Sequence, residues 1–162
     1  MSSDAPDDQP PADAGVRMTT TQVVAYLRRA GDGVLSLAGA PPLSVPMSFG
    51  VTDGPRLVFQ CLFGPDSEKG TRLSETDSAS LVCYDRASPD DWASVVVTGE
   101  MAAVEHDAER QAAFAEHADT VSMNVFEEAA AELSVQWYEL TPDSMSGRAG
   151  GHWTPPTTDG NG

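Results

Sequence analysis

Between residues 33 and 64 the sequence carries three strand-like runs packed so closely that only an antiparallel arrangement can join them. "GVLSLAG" (33–39), "PLSVPMSFGV" (42–51) and "RLVFQCLFG" (56–64) are linked by a Gly-Ala-Pro-Pro turn and by Thr-Asp-Gly. Parallel neighbours need a crossover of about a dozen residues or more, and these links are far shorter. In the second run Leu43, Val45, Met47 and Phe49 alternate with Ser44, Pro46 and Ser48, the period of a strand with one buried face. Pro46 has no N–H for a ladder, so this strand belongs at an edge or a bulge. Thr52-Asp53-Gly54 reads as a hairpin turn of the Asp-Gly kind.

The rest of the chain extends the same pattern. "ASLVCYD" (79–85) predicts a fourth strand, "WASVVVTGEMAAVEH" (92–106) a long fifth and "VQWYELTPDSM" (135–145) a sixth. Gly99 inside the long run marks a bulge or bend, as at a barrel corner. Helices frame these strands. One is capped among Thr19 to Thr21, carries an apolar stripe of Val23, Val24 and Leu27, and closes at Gly31. A short one has helical spacing through Lys69, Leu73 and Thr76; a third, over 107–118, is capped by Asp107; another is expected over 124–134. Six strands, tight β-β links and one long bent strand predict a mainly β, α+β domain: an antiparallel barrel with helices outside.

The ends differ from the middle. Residues 1–17 open with "MSSDAPDDQPPADAG", acidic and proline-rich, and 149–162 include "GGHWTPPTTDGNG"; neither can offset its own ordering entropy, so both read as flexible tails around a domain at 18–148. The chain has 25 acidic residues against 9 basic ones, a formal charge of −16. Such a surface excludes a nucleic-acid partner, which needs a basic face. Carboxylates spread along the whole chain point to adaptation to molar salt, against the plainer reading of an acidic protein of ordinary salt. Cys61 and Cys83 have neither CxxC nor zinc spacing and read as buried free thiols; no metal is expected. His106, His117 and His152 are scattered and read as surface residues. No signal sequence or bilayer-length apolar run is evident, so a soluble cytoplasmic protein is expected.

Hydrolase and nucleotide-binding motifs of the GxSxG, HExxH and GxxxxGK[ST] kinds are absent from the sequence. What remains is "SEKG" (67–70). Lys69 is the chain's single lysine. Ser67 suits a helix N-cap, so Lys69 would lie in a first turn whose free N–H groups attract an anion, directly after a strand. Two readings stay open here: a phosphate site at the barrel rim, or a lysine left on a solvated helix.

The ordered set "GVLSLAG", "LSVPMSFGVTDGPRLVFQC", "SEKGTRL", "WASVVVTGE" and "ELTPDSMSGR" resembles the pyridoxamine 5′-phosphate oxidase-like flavin-binding split barrels, as a haloarchaeal-type member, over roughly residues 18 to 148. That resemblance implies a six-stranded antiparallel Greek-key split barrel, a homodimer, and flavin mononucleotide (FMN) bound at the interface. It would place Val45, Pro46, Met47 and Ser48 along the isoalloxazine ring and Phe59, Gln60 and Cys61 on the ribityl side. Ser67 and Lys69 would hold the phosphate. Trp92 and Ser94 would approach from the other strand wall, across the dimer, and Arg148 from the C-terminal element. Oxidases acting on vitamin B6 carry tandem Arg-Lys where this chain has Glu68-Lys69, and a basic strand and a C-terminal Arg-His-Asp-Arg signature absent here. The resemblance therefore implies an FMN-dependent oxidoreductase moving hydride between flavin and a small molecule, but not a pyridoxamine phosphate oxidase proper. The alternative it leaves is a non-catalytic flavin- or haem-binding module, or one that uses a deazaflavin or has lost its cofactor.

Overall fold

The computed structural model describes residues 15–64, 66–118 and 134–156. Eight strands and three helices follow in the order β1 (Val16–Arg17), α1 (Thr20–Ala30), β2 (Asp32–Leu37), β3 (Leu43–Ser48), β4 (Gly50–Val51), β5 (Leu57–Phe63), α2 (Glu68–Glu75), β6 (Ser78–Ser88), β7 (Asp91–Val104), α3 (Ala108–His117) and β8 (Ser134–Ala149). All the strand pairings are antiparallel, and the strands join in the order β3-β2-β6-β7-β8-β5-β4, with β1 added on β8. The two ends of that path, β3 and β4, are separated in the chain by Phe49 alone. The sheet must therefore curl until its edges nearly meet. This is the split barrel.

The count of eight corrects the expected six in two places. The alternation of 42–51 runs unbroken through Phe49, yet the chain changes partner there: β3 pairs with β2, whereas β4 pairs with β5. Phe49 turns the corner with its N–H donated to the Gly31 carbonyl at 2.9 Å and its ring fully buried beside Phe59. Val16 and Arg17 pair with Ala149 and Arg148, which makes β1 a short strand inside the stretch read as tail. Pro46 lies in β3, at one end of the sheet path, as its missing N–H requires.

Caps fall where the side chains dictate. Thr19 accepts from the Gln22 N–H while Gln22 accepts from the Thr19 N–H, a reciprocal capping box, and Gly31 closes α1 in the left-handed region at φ 73°. The buried stripe of α1 is Val23, Tyr26 and Leu27; Tyr26 takes the place expected of Val24 because 23, 26 and 27 share one face. Asp107 caps α3 as expected. The β4–β5 hairpin is wider than an Asp-Gly turn, running from Thr52 to Arg56 and closed by Thr52 N–H to Arg56 O at 2.9 Å. Gly99 does mark a bulge. The β7–β8 register slips there, leaving Asp143 unpaired, and a Cβ at Gly99 would collide with the Thr141 carbonyl. The helix expected over 124–134 lies outside the described residues apart from Ser134, which opens β8.

Register sorts the strands into two faces. Val45, Leu35, Leu81, Val97 and Met145 oppose one another in turn across five strands and point into the barrel, where they join one hydrophobic core. One step along each strand the outer face carries Pro46, Val34, Val82, Val96 and Ser146 in one row. The row two residues further on holds Ser44, Ser36, Ser80, Thr98 and Ser144. Neither row contains a charge. Beyond β8, the Gly150 N–H bonds to Trp92 O and the His152 N–H to Asp90 O, both at 2.9 Å, and Trp153 packs against Tyr26. Among the described residues no helix is long and apolar enough to cross a membrane.

Candidate functional site

The candidate residues fall into two groups on different strands. The first gathers around the start of α2. Ser67 caps this helix, its Oγ accepting from the Gly70 N–H at 3.1 Å, so the turn expected from sequence is present. Lys69 does not stretch into solvent. It reaches β3, with Nζ 3.6 Å from Met47 Sδ, and its charge is felt at Cys61 on β5. Glu68 points the other way: its side chain is 64% exposed and pairs with Arg72 at 3.1 Å. The acid beside the lysine is thus paired one turn along the helix, and Lys69 adds a positive charge to the first turn of α2. Ser67, Lys69, Met47 and Cys61, separated in sequence by up to 22 residues, converge at one place on the barrel rim.

Alternation divides the remaining members of this group. In β3, Met47 is buried and Val45 packs against the core, while Pro46 is exposed. In β5, Phe59 and Cys61 are both fully buried, and Gln60 between them is exposed. The Phe59 and Cys61 side chains belong to the hydrophobic core. Burial pushes the Cys61 thiol up to about 11, despite the opposing pull of Lys69, and the Cys83 thiol up to about 12. Both thiols are free, buried and protonated at neutral pH, so neither is a poised nucleophile.

The second group lies on β7 and β8. Ser94 sits directly opposite Arg148, and Trp92 shares their outward face two residues before Ser94. Trp92 lies close over glycine backbone: a Cβ at Gly15 would come within 2.8 Å of its ring, and one at Gly150 within 2.8 Å of its Nε1. The Nη1 atom of Arg148 is shielded from solvent and has no hydrogen-bond partner among the described residues. No strand pairing connects this group with β3, because β2 and β6 stand between β3 and β7.

Sequence reading missed Arg17, which β1 sets opposite Arg148. The available signal was the break in composition after Gly15, where Val16-Arg17-Met18 ends the acidic, proline-rich run. His106 hydrogen-bonds Gln111 and stacks on Trp137, while His117 contacts the Val51 N–H and Glu116. Among the described residues no cluster of metal-ligating side chains occurs.

Comparison with known proteins agrees with this architecture. The family model described as pyridoxamine 5′-phosphate oxidase matches residues 19–149. No curated protein matches the chain. Among solved structures, an FAD binding protein from Mycobacterium smegmatis is similar with a TM-score of 0.59 and 16% identity, over 82% of this chain and 96% of that one. An FAD-binding protein from Mesorhizobium loti gives 0.58 and 18%, over 82% and 96%. A heme binding protein from Mycobacterium smegmatis gives 0.58 and 19%, over 89% of this chain but 56% of that one. At such identities these likenesses establish the fold. The family match runs through both groups of candidate residues, and the chain belongs to the pyridoxamine 5′-phosphate oxidase family.

Proposed function

We propose that the protein binds FMN as a homodimer and uses it as an oxidoreductase, exchanging hydride with a small molecule, without being a pyridoxamine phosphate oxidase proper. The observation that carries the reading is the convergence of Lys69 with the capped start of α2 and with Met47 of β3. A helix N-terminus with a lysine in its first turn attracts an anion such as a phosphate, and the adjoining β3 edge is where a flat ring could lie. The residues fit the group. Ser67 and Lys69 would hold the phosphate, the β3 segment Val45 to Ser48 and Gln60 would flank the ring and chain, and Glu68 stays clear of both. Bound flavin would supply the hydride chemistry; these side chains bind and orient, and none is needed as an acid or base.

The FAD-binding and heme-binding neighbours name the competing ligands. Against haem, His106 and His117 are both engaged elsewhere, which leaves His152, exposed beyond β8, as the remaining imidazole for an iron ligand. Titrating FMN, FAD and haem into the purified full-length protein, with visible absorption as readout, tests this directly. Perturbation of the flavin band at stoichiometric FMN is expected, followed by bleaching with a reduced nicotinamide donor. Tight haem binding with no flavin response would overturn the reading, and flavin binding without reduction by any donor would leave a binding module.

The second residue group belongs to this reading through the dimer. A chain of charge −16 repels its own copies, yet the two central rows of its outer sheet face carry no charge at all. Val34 and Val96 are 38% and 39% exposed on that face, which suits a two-fold contact that brings one copy's Trp92, Ser94 and Arg148 toward the other's flavin. Sedimentation in high salt should show about twice the 17.1 kDa chain mass, and Val96→Asp should yield monomer with reduced FMN affinity. A wild-type monomer that binds FMN fully would refute the shared pocket.

The acidic surface also belongs here, as an adaptation to salt and with it a cytoplasm of high ionic strength. Screening over a few ångströms at molar salt removes the self-repulsion that opposes compaction. The melting temperature should rise steadily across a potassium chloride series toward molar concentration. A flat or falling trend would leave an acidic protein with no salt requirement.

A further inference from the structure

We infer that Arg17 and Arg148 form a second anion-binding site, and that the molecule acted on carries a carboxylate or phosphate which this pair holds. The word substrate rests on the flavin reading above; the anion site itself does not. The β1–β8 register places the two arginines directly opposite each other on the same face. Like charges in that relation destabilise a strand pair. The sequence has carboxylates in abundance to relieve them, 25 against 9 basic residues, and at three of the other six arginines it does so. Arg56 and Arg110 pair with Glu139, and Arg72 with Glu68. Among the described residues no carboxylate pairs with Arg17 or Arg148. Asp85, one position beyond Tyr84 on β6, accepts instead from the Tyr26 hydroxyl at 2.9 Å.

Three observations then point to an external acceptor. Arg148 Nη1 is shielded from solvent and has no hydrogen-bond partner among the described residues, which leaves a guanidinium donor unused. The same cross-strand row continues from Arg148 to Ser94 and then to Tyr84, whose side chain stands out in solvent. Two planar forks, a hydroxyl and a phenol in one line match an oxyanion, since guanidinium offers only donors and binds carboxylate or phosphate in two-point fashion. Trp92, lying on the same face, provides a flat wall beside it. This site is set apart from Ser67 and Lys69, because their helix approaches β3 and β5, and β5 pairs with residues 134–140 of β8, at the other end of that strand from Arg148. The two sites therefore divide the ligands, one phosphate for the cofactor and one acidic group for its reaction partner.

The test uses the full-length protein at one fixed ionic strength, with benzoate and inorganic phosphate as probes measured by calorimetry. Wild type should bind benzoate, and Arg17→Gln and Arg148→Gln should each weaken it by about tenfold or more. The double variant should be little worse than either single one, because both act at one site. Lys69→Ala should leave benzoate binding intact while removing part of the phosphate binding. Melting curves of each variant establish that the fold is retained, and Arg17→Lys provides a charge-conserving variant that should recover only part of the affinity. Arg17→Gln should leave the preference for FMN over riboflavin unchanged. No benzoate binding by wild type, or equal binding by Arg17→Gln, overturns the site. Loss of that FMN preference in Arg17→Gln overturns it too, because the pair would then serve the cofactor's phosphate. Benzoate binding that depends on Arg17 in a protein that binds no flavin upholds the anion site and removes the flavin reading instead.

Discussion

Lys69→Ala is expected to weaken FMN by about one to two decades while changing riboflavin, which lacks the phosphate, by less than about threefold. The expectation follows from where the ammonium sits. It lies in the first turn of α2 and reaches Met47 Sδ at 3.6 Å, while the acid beside it, Glu68, pairs with Arg72. A charge-assisted contact to phosphate contributes about 1.5–3 kcal/mol, which sets the size of the loss. Ser67→Ala should act in the same direction but less, because it removes the neutral hydrogen bond to the Gly70 N–H and loosens the cap. Glu109→Gln, an exposed change in α3, controls for the general loss of negative charge. Fluorescence titrations of both ligands at a single salt concentration decide the matter, since molar salt screens the lysine and shrinks the difference. Equal losses for the two ligands would mean that the substitution damaged the fold. No loss for either would return Lys69 to the solvated-helix reading. Both results sink the phosphate site.

Much of the fold could be read in the sequence because its signals are local. Thr19, Ser67 and Asp107 each cap the helix that follows them, Gly31 ends α1, and Gly99 marks the bulge, all through interactions with residues close by in the chain or in the facing strand. The corner at Phe49 was invisible for the opposite reason. The side-chain alternation is the same whether a strand keeps its partner or exchanges it, and the exchange from β2 to β5 is a long-range event. β1 escaped because two residues carry too little periodicity, and its existence depends on β8 more than 130 positions later. The candidate site divides in the same way. The start of α2 is local and could be read; the approach of Lys69 to Met47, and the opposition of Arg17 to Arg148, are products of closure.

Phe59 is where family resemblance and packing make different demands, and Phe59→Ala is expected to be the most destabilising single change considered. Its side chain is fully buried, its ring centroid is 6.2 Å from that of Phe49, and β5 pairs it with Tyr138 of β8. Removing a buried phenyl ring costs about 3–5 kcal/mol from lost burial and the cavity left behind. For a domain of this size that is a drop in melting temperature of roughly 6–20 °C. Gln60, the next residue, faces out, so Gln60→Ala should alter stability by no more than about 0.5 kcal/mol while weakening FMN if the side chain flanks the cofactor. The pair thus separates two properties that adjacent positions in one strand carry on opposite faces. Melting curves of the flavin-free proteins and FMN titrations well below each melting point supply both readouts, with Phe59→Leu as the milder change should Phe59→Ala fail to fold. Phe59 variants that melt early but bind FMN within a few-fold of wild type, measured while folded, place the phenyl ring in the core and leave only its backbone near the ligand. A Phe59→Leu protein that melts like wild type yet loses FMN would show the reverse, and the barrel interior would then have to open toward the cofactor.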